Sequence, residues 1–236
     1  MFKKLFLIAS ILLLSDSYAY AMDNPTVVLE LFTSQGCSSC PPADALLKNL
    51  FTRDPSVLPL SFHVHYWDDR GWKDTYSSPT YTDRQKNYEQ VLGERHLFTP
   101  QLVINGQISV VGYSAEDIRQ SIAIVRRTPF AVNVSLKSAN AGQLIAGITA
   151  NIPNASIEAD VWEVRFNRAA KTAVVAGENR GRTLESINNV TSITSLGTWR
   201  SGENKNITLD IPQDSVAIIV QAPRQGPILG AAAYMH

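Results

Sequence analysis

The sequence predicts a mixed α/β domain over residues 24–127 followed by an all-β, sandwich-like domain over residues 128–236. Three observations carry that division. Up to residue 127, apolar β-rich runs alternate with segments whose apolar residues recur every three or four positions. Beyond it, short β-type runs punctuated by Gly, Pro and Asn follow one another with no convincing helical period. Between the two, the helical pattern stops at Thr128, where Pro129 disfavours helical backbone in the preceding residue.

The first 21 residues are expected to lie outside the fold. Met1-Phe2-Lys3-Lys4 is a basic n-region, Leu5 to Leu14 is an apolar run, and Ala19-Tyr20-Ala21 has the small-x-small pattern of a signal peptidase site. This predicts a cleavable leader cut after Ala21 and a periplasmic or secreted mature chain with no further membrane segment. Within the first domain, Thr26 to Phe32 reads as a strand and Ala43 to Phe51 as a helix with Ala43, Leu46, Leu47 and Leu50 on one face. Val57 to Tyr66 reads as a second strand, and Tyr81 to Leu92 as a helix capped by Gly93. Leu102 to Ile104 and Ile108 to Val111 flank Asn105-Gly106, the signature of a type I′ hairpin turn. Ser114 to Arg127 closes the domain as an amphipathic helix with Ser114 as N-cap. The β-type runs of the second domain are Phe130–Leu136, Leu144–Ala150, Ile157–Arg165, Thr172–Ala176, Asn189–Leu196, Asn206–Ile211, Val216–Gln221 and Ile228–Tyr234.

Composition narrows the function classes. With 21 basic and 21 acidic side chains the formal net charge is zero, which argues against a nucleic-acid footprint built on clustered Lys and Arg. The two cysteines cannot make a multi-bridge scaffold or a four-thiolate zinc site. They lie as Cys37-Ser38-Ser39-Cys40 between a predicted strand and a predicted helix. A thiol at a helix N-terminus faces unpaired backbone N–H groups and the positive end of the dipole, which favours its thiolate. The two-residue spacing lets the second sulfur attack a mixed disulfide formed by the first. Cys37 is therefore read as the exposed attacking thiol and Cys40 as the deeper, resolving one. A structural disulfide that never turns over is the alternative. A c-type haem site fails because Pro41, not His, follows Cys40.

The order strand, Cys-x-x-Cys, helix resembles thioredoxin, and so does Phe98-Thr99-Pro100-Gln101-Leu102-Val103-Ile104-Asn105-Gly106. The resemblance implies a cis-proline at Pro100, packed beside the cysteine pair, with the Thr99 backbone free to pair with a substrate strand. A closer resemblance is to DUF1223, a family of exported bacterial thioredoxin-like proteins. It rests on Glu30 to Asp44 around the cysteines, His63-Val64, Tyr66-Trp67-Asp68, Gly71-Trp72-Lys73-Asp74, Arg84-Gln85 and Thr99-Pro100-Gln101. In the second half it extends to Gly177-Glu178-Asn179, Gly181-Arg182, Leu196-Gly197-Thr198-Trp199 and Gly230-Ala231-Ala232. One departure is His65, where an acidic residue is expected. The fold class implied is a thioredoxin-like α/β domain followed by the all-β sandwich-like domain, with redox activity implied only by analogy.

The remaining candidates follow from that frame. Glu30, on the strand leading into the cysteine loop, is expected to relay a proton to the resolving thiol, as a buried acid does in thioredoxin. Thr99, Pro100, Trp67 and Gln101 are expected to contact substrate. His63 and His65 alternate on one predicted strand and so share a face. With Cys37 and Cys40 they offer a mixed N and S donor set for copper or zinc. Tyr66, Trp67, Trp72 and Tyr76 among charged residues suggest a lid or partner-binding rim. The function expected is thiol–disulfide exchange with protein or small-molecule thiols and disulfides, without a cofactor and without nucleic-acid or membrane partners after leader removal. The alternative is a non-catalytic periplasmic binding protein with a structural disulfide or a Cys/His copper or zinc site.

Overall fold

A computed structural model of the 236-residue chain describes residues 20–22, 25–139, 142–153, 155–210 and 213–236. Among the described residues the chain is a mixed α/β protein with a large sheet, a smaller sheet and three α-helices. The elements run β1 (Tyr20–Met22), β2 (Val27–Thr33), α1 (Pro41–Arg53), β3 (Val57–His63), a 3₁₀ turn (His65–Trp67), α2 (Pro79–Leu92), β4 (Gln101–Ile104), β5 (Ile108–Val111) and α3 (Ala115–Val125). Seven strands follow: β6 (Val132–Ala139), β7 (Gln143–Ala150), β8 (Glu158–Ala173), β9 (Thr183–Arg200), β10 (Lys205–Asp210), β11 (Ser215–Gln221) and β12 (Ile228–Met235). The large sheet has the order β1-β12-β11-β8-β9-β3-β2-β4-β5, and the small one β10-β7-β6.

The sheet passes through residue 128 without a break, because β9 pairs in parallel with β3 at Ser61 and Asn189. Side chains reinforce that seam: Ser61 Oγ donates to the Ile187 carbonyl at 2.8 Å, and Asn188 Nδ2 to that of Pro59 at 2.8 Å. Strand β2 is buried on both faces, as a strand covered on both sides must be. Its odd-numbered residues Val27, Leu29 and Leu31 pack with Ala43 and Leu47 of α1 and Ile118 and Ile122 of α3. Its even-numbered Val28 and Phe32 pack with Tyr81 and Tyr88 of α2. In the second half, β6 and β7 lay Val132, Val134, Leu144 and Ala146 over the Val161, Val216, Ile218 and Ala232 face of the large sheet.

Several local expectations hold. Helix α2 ends on Gly93, whose φ of 69° is the left-handed cap. Asn105 and Gly106 have φ of 49° and 65°, as a type I′ turn requires. Ser114 is the residue preceding α3, but its hydroxyl bonds Asp117 Oδ2 at 2.5 Å instead of capping the backbone.

Three expectations are corrected. The second strand stops at His63, and the chain turns into 3₁₀ geometry at His65, so His63 and His65 do not share a strand face. The separate runs Ile157–Arg165 and Thr172–Ala176 are replaced by one strand ending at Ala173, and β9 begins at Thr183, well before Asn189. Together β8 and β9 form a long hairpin whose tip, residues 174–182, reaches the first half. The leader lies mostly outside the described residues; its expected cleavage bond, Ala21–Met22, falls inside β1, which pairs with β12. No helix among the described residues is long and apolar enough to cross a membrane.

Candidate functional site

The cysteine loop is built by the end of β2 and the start of α1. Cys40 is the residue before α1 and Pro41 and Pro42 fill its first turn, where backbone N–H groups have no helical partner to lose. Cys37 and Cys40 form a disulfide with Cα atoms 5.5 Å apart. Cys37 Sγ lies 3.3 Å from Ser39 Oγ and 4.0 Å from the Thr99 carbonyl oxygen. The Thr99–Pro100 bond is cis. Gly112 makes room for that proline: a Cβ there would sit 2.9 Å from Leu31 Cδ1 and 3.2 Å from both Ala43 Cβ and Pro100 Cβ. Trp67 Nε1 donates to Thr99 Oγ1 at 2.8 Å, and the Arg70 guanidinium lies 4.6 Å over its ring. Cys37, Cys40, Thr99, Pro100 and Trp67 therefore meet in one place. A groove of about 660 Å³, lined by Ser39, His96, Phe98, Thr99, Val111 and Tyr113, opens beside them.

Gln101 does not join this surface. It is buried, accepting from Gln85 Nε2 at 2.9 Å and donating to Ser109 Oγ at 2.9 Å. Cys37 also departs from expectation: both cysteines are 0% exposed, while Ser38 and Ser39 between them face solvent.

Glu30 belongs to a different cluster. Its position on β2 turns it toward α2, opposite to the α1 face. There Oε1 accepts from Arg84 Nε at 2.6 Å and Oε2 from the Tyr88 hydroxyl. Arg84 also donates to Tyr88 and Gln221, so the cluster ties α2 to β11 in the second half. Glu30 is a buried ion-pair partner, not a group placed to serve Cys40.

The acid on the cysteine side is Asp44, one helical turn after Cys40 and so on the same face of α1. Thr33 Oγ1 donates to its Oδ2 at 3.3 Å, while Oδ1 is out of solvent contact and has no hydrogen-bond partner. Burial pushes its carboxyl up from 3.8 to about 7, with the charge of His63 only partly offsetting it. His63 is buried, its Nδ1 2.7 Å from Asp74 Oδ2 and its Nε2 2.9 Å from Asn189 Oδ1. Burial works to lower the imidazole, but the Asp74 charge and hydrogen bond raise it above 6.5. Burial likewise works to raise Asp74, yet His63 and the amides of Gln35 and Tyr76 hold it below 3.8. Asp74 Oδ2 also accepts from Gln35 N at 2.7 Å, which fixes the loop entering Cys37. His65 Nδ1 is 2.8 Å from Thr82 Oγ1, away from this cluster. With the sulfurs bonded to each other and both His63 nitrogens engaged, Cys37, Cys40, His63 and His65 do not form a donor set. Among the described residues no group of three or more His, Cys, Asp and Glu is placed to hold a metal ion.

The loop is closed from above by the β8–β9 tip. Asn179 Nδ2 donates to the carbonyls of Gln35 and Cys37, each at 2.9 Å. Glu178 Oε2 accepts from Ser38 N at 3.1 Å, and Gln35 Nε2 donates to Thr172 Oγ1 at 3.0 Å. Sequence alone names neither Asp44 nor Asp74 as a site residue, though both lie in motifs that carry the family resemblance. It offers Glu178, Asn179, Arg180 and Arg182 as a polar turn, either solvated or docked on the first domain, and the turn is docked.

Comparison with known proteins agrees with that resemblance. The family model described as "Protein of unknown function (DUF1223)" matches residues 28–221. No curated protein matches the sequence. The X-ray crystal structure of an Agrobacterium tumefaciens protein is similar at a TM-score of 0.77 and 29% identity, covering 89% of this chain and 94% of that one. The structure of HBP35 of Porphyromonas gingivalis is similar in fold at a TM-score of 0.58 and 16% identity, covering 90% of this chain and 74% of that one.

Proposed function

The chain belongs to the DUF1223 family, and from that premise we propose that it is an exported thiol–disulfide exchange protein acting through Cys37 and Cys40. On this reading the first half is a thioredoxin-like unit, the second an all-β unit joined edge to edge with it, and residues 1–21 a removable leader. The observation that carries the proposal is the Cys37 sulfur 4.0 Å from the carbonyl before a cis-proline, at the start of a helix. A disulfide sulfur next to the backbone before that proline supports exchange with an extended partner held there.

A partner thiolate attacks Cys37 Sγ, the Cys37–Cys40 bond breaks, and Cys40 leaves as a thiolate that takes the proton of the Asp44 carboxyl. A second partner thiolate then attacks the mixed disulfide at the partner's sulfur and displaces the Cys37 thiolate. The partner dithiol is oxidised by two electrons and the pair is reduced; the reverse sequence oxidises the pair. His63 and Asp74 form an oppositely charged pair beside Asp44, and His63⁺ favours the carboxylate left behind.

The test is turnover. The reduced protein should reduce a model protein disulfide catalytically in the presence of dithiothreitol, and Cys37→Ala should abolish this. A rate equal to that of dithiothreitol alone would refute the proposal. A second reading, a permanent staple in a binding protein, is favoured by the complete burial of both cysteines. It predicts a pair that dithiothreitol leaves oxidised in the folded protein.

A further inference from the structure

Both cysteines are fully buried, and a segment remote in sequence is bonded to the backbone of the loop that carries them. Residues 174–182 form the tip of the β8–β9 hairpin, and most of this tip is exposed, Val175 at 70%. Val174, at 2%, and Asn179, at 0%, are buried, and Asn179 holds the carbonyls of Gln35 and Cys37. Arg182 Nη1 donates to Asn179 Oδ1 at 2.8 Å and so orients the amide that grips the loop. Gly177, at φ of 70°, rests against Trp72, where a Cβ would come within 3.0 Å of the Trp72 Cβ. The tip thus hangs on the cysteine loop by a few polar contacts and one backbone approach, a design that opens at small cost.

The charge on this tip matters. Glu178 sets a carboxylate on the Ser38 amide, in the loop two residues before the Cys40 cap of α1. The Ser38 hydroxyl, and after it the Ser38 amide, hold Glu178 below its ordinary value, so it is an anion at neutral pH. While Cys37 is in a disulfide it is neutral, and Glu178 is the anion bonded to the amide that follows it in the chain. Once Cys37 ionises, two anions crowd the same loop.

We propose that the β8–β9 tip is a redox-responsive gate: Glu178 and Asn179 bind the cysteine loop in its disulfide form and release it when Cys37 becomes a thiolate. The gate rests on the exchange reading and regulates that same site. It holds the cysteine loop in its disulfide form and loosens it once Cys37 ionises. Because linkage is reciprocal, a tip that prefers the disulfide form also makes that disulfide harder to reduce.

The test uses the full mature chain and dithiothreitol alone, so it needs no physiological partner. In Glu178→Gln, the rate of Cys37–Cys40 reduction by dithiothreitol should rise about tenfold, and the equilibrium against dithiothreitol should shift toward the dithiol. In the wild-type chain, the amides of residues 174–182 should exchange hydrogen at least about tenfold faster when the pair is reduced than when it is oxidised. The second measurement requires no variant and so does not depend on one that folds. Equal reduction rates in Glu178→Gln and wild type, or tip amides equally protected in both redox states, would overturn the gate. If the gate passes while no protein disulfide is turned over, the exchange reading fails and the gate stands as a device on a pair that small thiols alone reduce. If turnover is found but the tip is indifferent to redox state, the gate alone is lost.

Discussion

Asp44→Asn isolates the buried acid beside the cysteine pair. In the folded chain burial raises this carboxyl from 3.8 to about 7. A group whose folded pKa lies above its unfolded one costs nothing while protonated in both states, and its cost grows as pH rises through the interval between the two values. At about 1.4 kcal/mol per tenfold change in proton affinity, the full interval corresponds to about 4 kcal/mol of stability lost by wild type between pH 4 and pH 8. Asp44 keeps some solvent contact, which brings the working expectation to about 2 kcal/mol. Asparagine keeps the acceptor for Thr33 and has no proton to lose. Urea unfolding of the oxidised forms at pH 4.5, 6, 7 and 8 should show Asp44→Asn gaining on wild type by about 2 kcal/mol across the series, nearly all of it between pH 4.5 and 7. A constant gap between the two proteins at every pH would refute the reasoning, because Asp44 would then carry the same charge folded and unfolded.

Other expectations follow from the same contacts. Arg84→Met leaves Glu30 buried without its cation and should cost about 3–5 kcal/mol in urea unfolding, whereas the double variant with Glu30→Gln should recover most of it; equal losses in single and double variants would contradict the ion pair. The stabilisation from His63, whose imidazole is raised above 6.5, is fully present below that value and fades as pH rises through the raised one. His63→Gln should therefore be most destabilised below pH 6.5 and approach wild type at high pH, a trend that thermal melts across pH would reveal or exclude. Gly112→Ala drives a methyl into Leu31, Ala43 and Pro100, and should lower stability by about 1–3 kcal/mol while slowing disulfide exchange; an unchanged melting temperature would mean that the Pro100 pocket has slack.

What sequence could specify here was local. The proline pair after Cys40, Gly93 behind α2 and the Asn105-Gly106 turn each act through their own backbone preferences, and each sits where it was expected. The long hairpin was not legible, because Asn167 to Lys171 lacks the apolar alternation of a half-buried strand. Several residues of that stretch face solvent on a strand supported mainly by its partner. Glu30 was misassigned for a different reason: alternation along β2 settles which residues share a face, but only packing settles which helix covers that face. His63, Asp74 and Asn189 come from three separate segments, so their network exists only once β9 has docked against β3. The same docking brings Asn179 onto the cysteine loop, 142 residues away in the chain from the Cys37 carbonyl it holds.

The central claim, that Cys37 exchanges disulfides with a partner, is tested most directly by trapping. Cys40→Ser removes the resolving sulfur, so a mixed disulfide formed at Cys37 cannot be released by the pair itself. Incubated with periplasmic extract, this variant should give discrete adducts that dithiothreitol dissolves and that vanish when Cys37 is also replaced. The absence of any such adduct, together with a wild-type pair that stays oxidised under dithiothreitol, would contradict it.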